Sequence, residues 1–234
     1  MHTVTNPFQA CNDIFYRPNG VFRALTTKNN WSWFPFVLVV LASILPSYLY
    51  FSTVDFSFYV NLLSSTLGEV SPAEIEQFRQ SQQQSFYIIL SLAGPLIGLP
   101  LYFLLIALYL HLATKSDEQN VQGFTDWYGF SWWISMPVLV SALIAVILIA
   151  LASDPQMSPS IMQPLSLAYL LNIPLSSPWN GFASATSLIT IWTVYLTTVG
   201  ISQWTSFSTK KSAIIAVAPY VIVYGIWAII NIIS

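Results

Sequence analysis

Few side chains in this sequence could carry out chemistry. Its 234 residues include seven Lys+Arg, nine Asp+Glu, two His and one Cys. His111 is the only histidine beside a long apolar run. As a proton carrier or metal ligand it would stand alone, so a solvated imidazole at a membrane edge is the plainer reading. His2 is terminal and uninvolved. The lone Cys11 excludes an intrachain disulfide, and zinc sites need several Cys or His at close spacing. Neither a metal nor another cofactor is expected. Cys11 falls on an apolar helical face, where it reads as a small hydrophobe, with reversible acylation as the lesser alternative. A His-Glu-x-x-His helix, a Walker loop and a Gly-x-Gly-x-x-Gly turn are all missing. No histidine lies deep enough to activate an intramembrane serine, so an enzyme is not expected.

Two weaker constellations remain. Ser184, Ser187, Thr190 and Thr198, with Ser202, Trp192 and Tyr195 among them, recur at roughly helical steps. They could line a polar groove for a solute or a lipid headgroup. They could equally join helices through hydrogen bonds of about 0.5–2 kcal/mol each, the plainer of the two readings. Gly94-Pro95-Leu96-Ile97-Gly98 is followed by Pro100. Gly94 and Gly98 have the small-x-x-x-small spacing that lets helix backbones approach, and each proline removes a backbone donor and favours a kink. Packing within one bent chain, self-association through this face, and a hinge or cavity lining are the alternatives.

The elements that must position these residues follow from composition. Apolar residues make up 55% of the chain and charged residues only 7%, against roughly 25% charged in a soluble domain. A water-soluble enzyme and a disordered tail are excluded. With a net charge of −2 there is no basic face for nucleic acid. Crossing a hydrocarbon core of about 30 Å takes roughly 20 apolar residues. Five runs qualify, over 33–51, 86–112, 132–152, 181–203 and 212–233, the fourth weakened by its hydroxyls. None contains Asp, Glu, Lys or Arg, which argues against an ion-coupled pump. The expected fold is all-α: a polytopic membrane domain of five transmembrane helices over 31–234, preceded at 1–30 by short interfacial helices. Placing the N-terminus in the cytoplasm puts Arg17, Arg23, Lys28, Lys115, Lys210 and Lys211 inside and only Arg79 outside. The C-terminus is then on the far side.

Between the runs, Asn6-Pro7 reads as a helix cap and first turn, with Phe8, Cys11, Ile14 and Phe15 on one face. Val21, Phe22 and Leu25 give a second short apolar face. These helices lie either on the membrane surface or against the protein's own helix ends. Ser71-Pro72-Ala73-Glu74 is a capping-box pattern that starts a polar helix running toward the second span. The proline-rich stretch 153–178 is a loop with a short apolar dip. Trp31, Trp33, Trp127, Trp132, Trp133 and Trp204 fall at the cytoplasmic boundaries, where anchoring in the headgroup layer is the default expectation.

In their order along the chain, three segments resemble the Yip1 domain family of five-span membrane proteins. The opening Asn6-Pro7-Phe8, with Ile14-Phe15, Arg17-Pro18 and Phe22-Arg23-Ala24-Leu25, is similar to the family's helix and proline ahead of the first span. Tyr128-Gly129-Phe130-Ser131 with Pro137 resembles its Gly-aromatic-Ser start to the third span, and Ser208-Thr209-Lys210-Lys211-Ser212-Ala213 with Pro219 its basic turn into the last. The long cytosolic region of eukaryotic members is replaced by about thirty residues. Asp126-Trp127-Tyr128-Gly129 is similar to their Asp-Leu-Tyr-Gly-Pro motif, but precedes the third span rather than the first, so that motif's role is not carried over. The resemblance associates eukaryotic members with vesicle transport and small-GTPase binding. It places this short bacterial type in an inner membrane.

The sequence therefore points to a non-enzymatic inner-membrane protein acting as a scaffold or organiser of membrane proteins or lipids. Its partners would be membrane lipids, other membrane proteins and a second copy of itself, with no nucleic acid. The cytoplasmic contact surface would combine the N-terminal helices, the 115–130 loop with Asp126, Tyr128 and Gly129, and the Lys210-Lys211 turn. The alternative is a passive conduit or lipid-translocating protein using the second and fourth spans.

Overall fold

The computed structural model describes residues 4–28 and 30–233; His2 lies outside them. The chain is 73% helical, and no strand occurs among the described residues. In α1 (Pro7–Asp13) the Asn6 side chain accepts from the Gln9 amide at 2.9 Å, and Pro7 sits where a missing N–H costs nothing. α2 (Pro18–Leu25) again begins on proline. Ala10, Ile14, Val21 and Phe22 have no exposure, whereas Phe8 is 73% exposed and rests edge-on against Phe34. The buried face of α1 thus runs through Ala10 and Ile14 rather than through Phe8. Both helices close onto the protein's own core, and the Trp204 indole N–H donates to the Phe22 carbonyl at 2.8 Å.

Four helical stretches are long and apolar enough to cross a membrane: α3 (Trp33–Thr53), α6 (Gln84–Thr114), the pair α7 (Phe124–Ile134) and α8 (Val138–Leu151), and α12 (Thr209–Ile233). α7 starts earlier than the expected 132 because Asp126 caps it, accepting from the Gly123 amide at 2.8 Å. A short break precedes α8 at Pro137, which has no N–H to continue the ladder. At the far end of α3, α4 (Phe56–Ser64) starts on the Asp55 cap. The capping box of α5 (Pro72–Ser81) is complete, with Ser71 and Glu74 bonded reciprocally, but extended backbone at Gln82 and Gln83 separates it from α6.

The expected fourth span is not one helix. α9 (Leu167–Leu170) lies in the preceding loop. Residues 181–203 then divide into α10 (Asn180–Ala185) and α11 (Leu188–Trp204) at extended Thr186 and Ser187. α11 has 17 residues, roughly 26 Å at 1.5 Å per residue and short of a full crossing by itself. The break is stable because its backbone finds partners in the loop: the Leu167 amide donates to Thr186 O at 2.8 Å and the Leu188 amide to Leu165 O at 3.0 Å. Ser187 also caps the new helix, accepting from the Ile189 amide at 3.2 Å.

The main core lies where α2, α3, α6, α7 and α11 meet. Trp127, Trp132 and Trp133 are at most 2% exposed and Trp204 7%, so these indoles pack the interior rather than anchor in headgroups; Trp33, 65% exposed, does face outward. Trp127 and Trp204 meet at 5.0 Å with their rings tilted by 58°, and Phe130 lies against Phe22 at 5.0 Å. A second core at the opposite end joins Tyr50 and Phe51 to Tyr59, Val60 and Ile149. α12 packs along α11, and α6 packs against α3 and α7.

Candidate functional site

Breaking the fourth segment opens a cavity of about 470 Å³ between the helices. Ser184, Ser187 and Thr190 line it together with Thr193; Thr198 does not, and donates instead to Val194 O at 2.8 Å in its own helix. The other walls bring Ser43 and Ser47 from α3, Tyr102 and Phe103 from α6, Ser135 and Ser141 flanking the start of α8, Gln163 from the loop, and Tyr220 and Tyr224 from α12. Several hydroxyls are already committed: Ser187 donates to Leu165 O at 3.0 Å, Ser135 to Ser131 O at 2.9 Å and Tyr224 to Ala185 O at 2.6 Å. Among the described residues, the side chains of Ser47, Ser141, Gln163, Thr190 and Thr193 make no hydrogen bond within the chain, although the Gln163 and Thr193 carbonyls accept from Ser166 and Thr197.

A second void of about 310 Å³ adjoins the first, sharing Tyr102, Ile106, Ile134, Ala185, Tyr220 and Tyr224 with it. It extends between α6 and α12, which are joined near one end by the Tyr109 hydroxyl donating to Ile215 O at 2.8 Å. Among the described residues, no Asp, Glu, Lys, Arg or His lines either void. A site of this kind can take apolar groups and hydrogen-bond a neutral or dipolar head. Tyrosine phenols are the only ionisable groups in the described lining.

The glycine pair behaves differently from its spacing. A Cβ built at Gly94 or Gly98 would meet nothing within 4 Å, so the close approach is not made inside this chain. Pro95 and Pro100 lie inside α6, which runs on to Thr114. The tight glycines are elsewhere. A Cβ at Gly200 would run into the Phe130 ring and stand 3.1 Å from Phe22, and one at Gly129 would be 2.6 Å from the Ser32 hydroxyl.

The expected cytoplasmic contact residues separate into two places. Asp126, Tyr128 and Gly129 line one groove of about 640 Å³ with Lys28, Trp33 and Trp132. Lys210 and Lys211 are not part of it; the Lys211 ammonium sits 3.3 Å over the Phe207 ring. Asp117, 7% exposed, ties the loop before α7 to the residues that precede α12. Its carboxylate accepts from the Ser206 amide at 2.7 Å, the Ser206 hydroxyl at 2.6 Å and the Gln119 amide at 3.3 Å. The Ser206 hydroxyl, then its amide, hold the Asp117 carboxyl below its usual range, with Gln119 and the Lys211 charge adding to this. Burial pushes the Cys11 thiol up to about 11. No cluster of three metal-ligating side chains occurs among the described residues.

The family model of the Yip1 domain matches residues 12–230, nearly the whole chain. No curated protein and no solved structure matches it. The chain therefore belongs to the Yip1 domain family and is a multi-pass membrane protein.

Proposed function

We propose that this Yip1 domain protein is a non-enzymatic organiser of the bilayer that holds a lipid in its intramembrane cavity. The observation that carries this reading is the uncharged void of about 470 Å³ edged with unengaged hydroxyls and adjoining the smaller void between α6 and α12. Its size falls within the roughly 300–1,000 Å³ of small-ligand sites. In hydrocarbon, exposed polar groups need partners, and a lipid's ester or headgroup oxygens would supply them to Thr190, Thr193 and Ser141.

α10 and α11 together form a fifth, broken crossing, since non-helical backbone at membrane depth is tolerated where it borders a cavity. The distribution of basic residues supports a cytoplasmic N-terminus and a C-terminus on the other side of a bacterial inner membrane. The open Gly94/Gly98 face suits a second copy, and the Lys210-Lys211 turn suits contact with other membrane proteins.

The test is lipid analysis of protein purified in mild detergent. Wild type should retain lipid through purification, and Thr190→Leu or Ser141→Leu, which fill the cavity, should lose most of it. Equal retention in wild type and both variants would refute the reading. A translocation reading draws support from the sparse seam between α6 and α12, closed at one end by Tyr109. It requires headgroup-labelled lipid to cross liposome membranes at a rate that Thr190→Leu or Gly98→Leu abolishes.

A further inference from the structure

The 640 Å³ groove beside α7 shares no lining residue with the intramembrane cavity. Its walls differ by element: Lys28 precedes α3 and Asp126 is in the first turn of α7, whereas Pro100 lies inside α6. At the polar end stand Lys28 and Asp126, of opposite charge. Among the described residues neither has an ion-pair partner: Lys28 makes no hydrogen bond, and Asp126 uses only Oδ2, at 2.8 Å from the Gly123 amide. Next comes an aromatic wall. Trp33 and Phe36 meet edge to face at 5.3 Å, Phe36 and Trp132 at 4.8 Å, and Trp132 and Tyr128 at 6.1 Å. At the apolar end is Pro100 of α6, roughly 18 Å along that helix from Leu112.

We propose that this groove is a binding site for a zwitterionic phospholipid, with the phosphate held on the Lys28 side and the ammonium on the Asp126 side. A single acidic or basic solute would satisfy one charge and be repelled by the other. A phosphate–ammonium headgroup satisfies both of these exposed charges, which flank the aromatic wall. Aromatic ring faces add to the attraction for an ammonium. The step from charges to rings to proline follows the step from headgroup to glycerol to acyl chain, which sets a lipid apart from a soluble zwitterion. Trp33 opens α3 and is 65% exposed, so the entrance stands where the apolar helix begins.

The experiment is native mass spectrometry of the purified, delipidated protein with phosphatidylethanolamine, phosphatidylcholine or phosphatidylglycerol of matched chains. Wild type should retain either zwitterionic lipid about fivefold better than phosphatidylglycerol, the worth of one surface charge contact. D126N should bring that preference close to unity. Because Asp126 also caps α7, K28Q on the other wall provides the second variant, and it should weaken retention of all three lipids about fivefold. The same comparison in the Thr190→Leu background, where the separate cavity is filled, removes lipid held there, so the retention that remains reports the groove alone and should keep the preference. Equal retention of zwitterionic and anionic lipid by wild type, or a preference that survives D126N with retention unaffected by K28Q, would overturn the site. Loss of the preference in Thr190→Leu would overturn it too, by assigning the selectivity to the cavity.

Discussion

Replacing Gly200 with alanine tests whether helix contact in this protein is made where the structure puts it. The added Cβ would run into the Phe130 ring and stand 3.1 Å from Phe22. Phe130 cannot swing away freely: it is 1% exposed and wedged between Trp127 at 5.1 Å and Trp204 at 4.9 Å. Overpacking a filled core costs about 1–3 kcal/mol, and a clash this severe belongs at the upper end. Alanine's better helix propensity returns about 1 kcal/mol, which leaves a net loss of about 2 kcal/mol. The same change at Gly98 meets nothing within 4 Å and should be neutral or slightly stabilising. Unfolding midpoints in mixed micelles, read by tryptophan fluorescence, report both. A double-mutant cycle sharpens the test. Phe130→Ala alone should cost about 3–5 kcal/mol, but in its presence the Gly200→Ala methyl gains room, so the pair should cost at least 1 kcal/mol less than the sum. Additive effects, or a Gly200→Ala protein as stable as wild type beside a weakened Gly98→Ala, would refute the packing described for α2, α7 and α11.

Other predictions follow from single contacts. Asp117→Asn should speed amide exchange at Ser206 at neutral pH. In wild type the carboxylate's lowered pKa keeps the tie complete above the ordinary Asp value of about 3.9. It is lost only as pH falls through the lowered value, so identical Ser206 protection in the variant would count against the link. Trp204→Phe leaves the Phe22 carbonyl without its donor and should cost about 1–3 kcal/mol of stability; an unchanged unfolding midpoint would contradict it. With its thiol raised to about 11 by burial, Cys11 is roughly one part in a thousand thiolate at pH 8 and should react with maleimide about a hundredfold more slowly than an exposed cysteine. Reporter tags on the two ends should mark opposite sides of the membrane, and matching sides would overturn the five-crossing topology.

Much of the architecture is legible in the sequence itself. Long runs without charge have one stable environment, and their hydropathy is a property of the run itself; hence α3, α6 and α12 lie close to where composition placed them. Caps are just as local, which is why Asn6 and the Ser71–Glu74 box act as their spacing suggested. The hydroxyls of 184, 187 and 190 were visible as a pattern, but whether they join helices or face a void depends on how far the neighbouring helices stand off. Only the tertiary structure decided that, by pairing Thr186 and Leu188 with residues 165–167 and breaking the segment. It likewise turned four tryptophans inward, left Gly94 and Gly98 open while closing Gly129 and Gly200, and drew Asp117 onto Ser206 across 89 positions of chain. Hydropathy and capping act within a few turns of one helix. Voids, close approaches and long-range ties belong to the spacing between helices, which no single segment encodes.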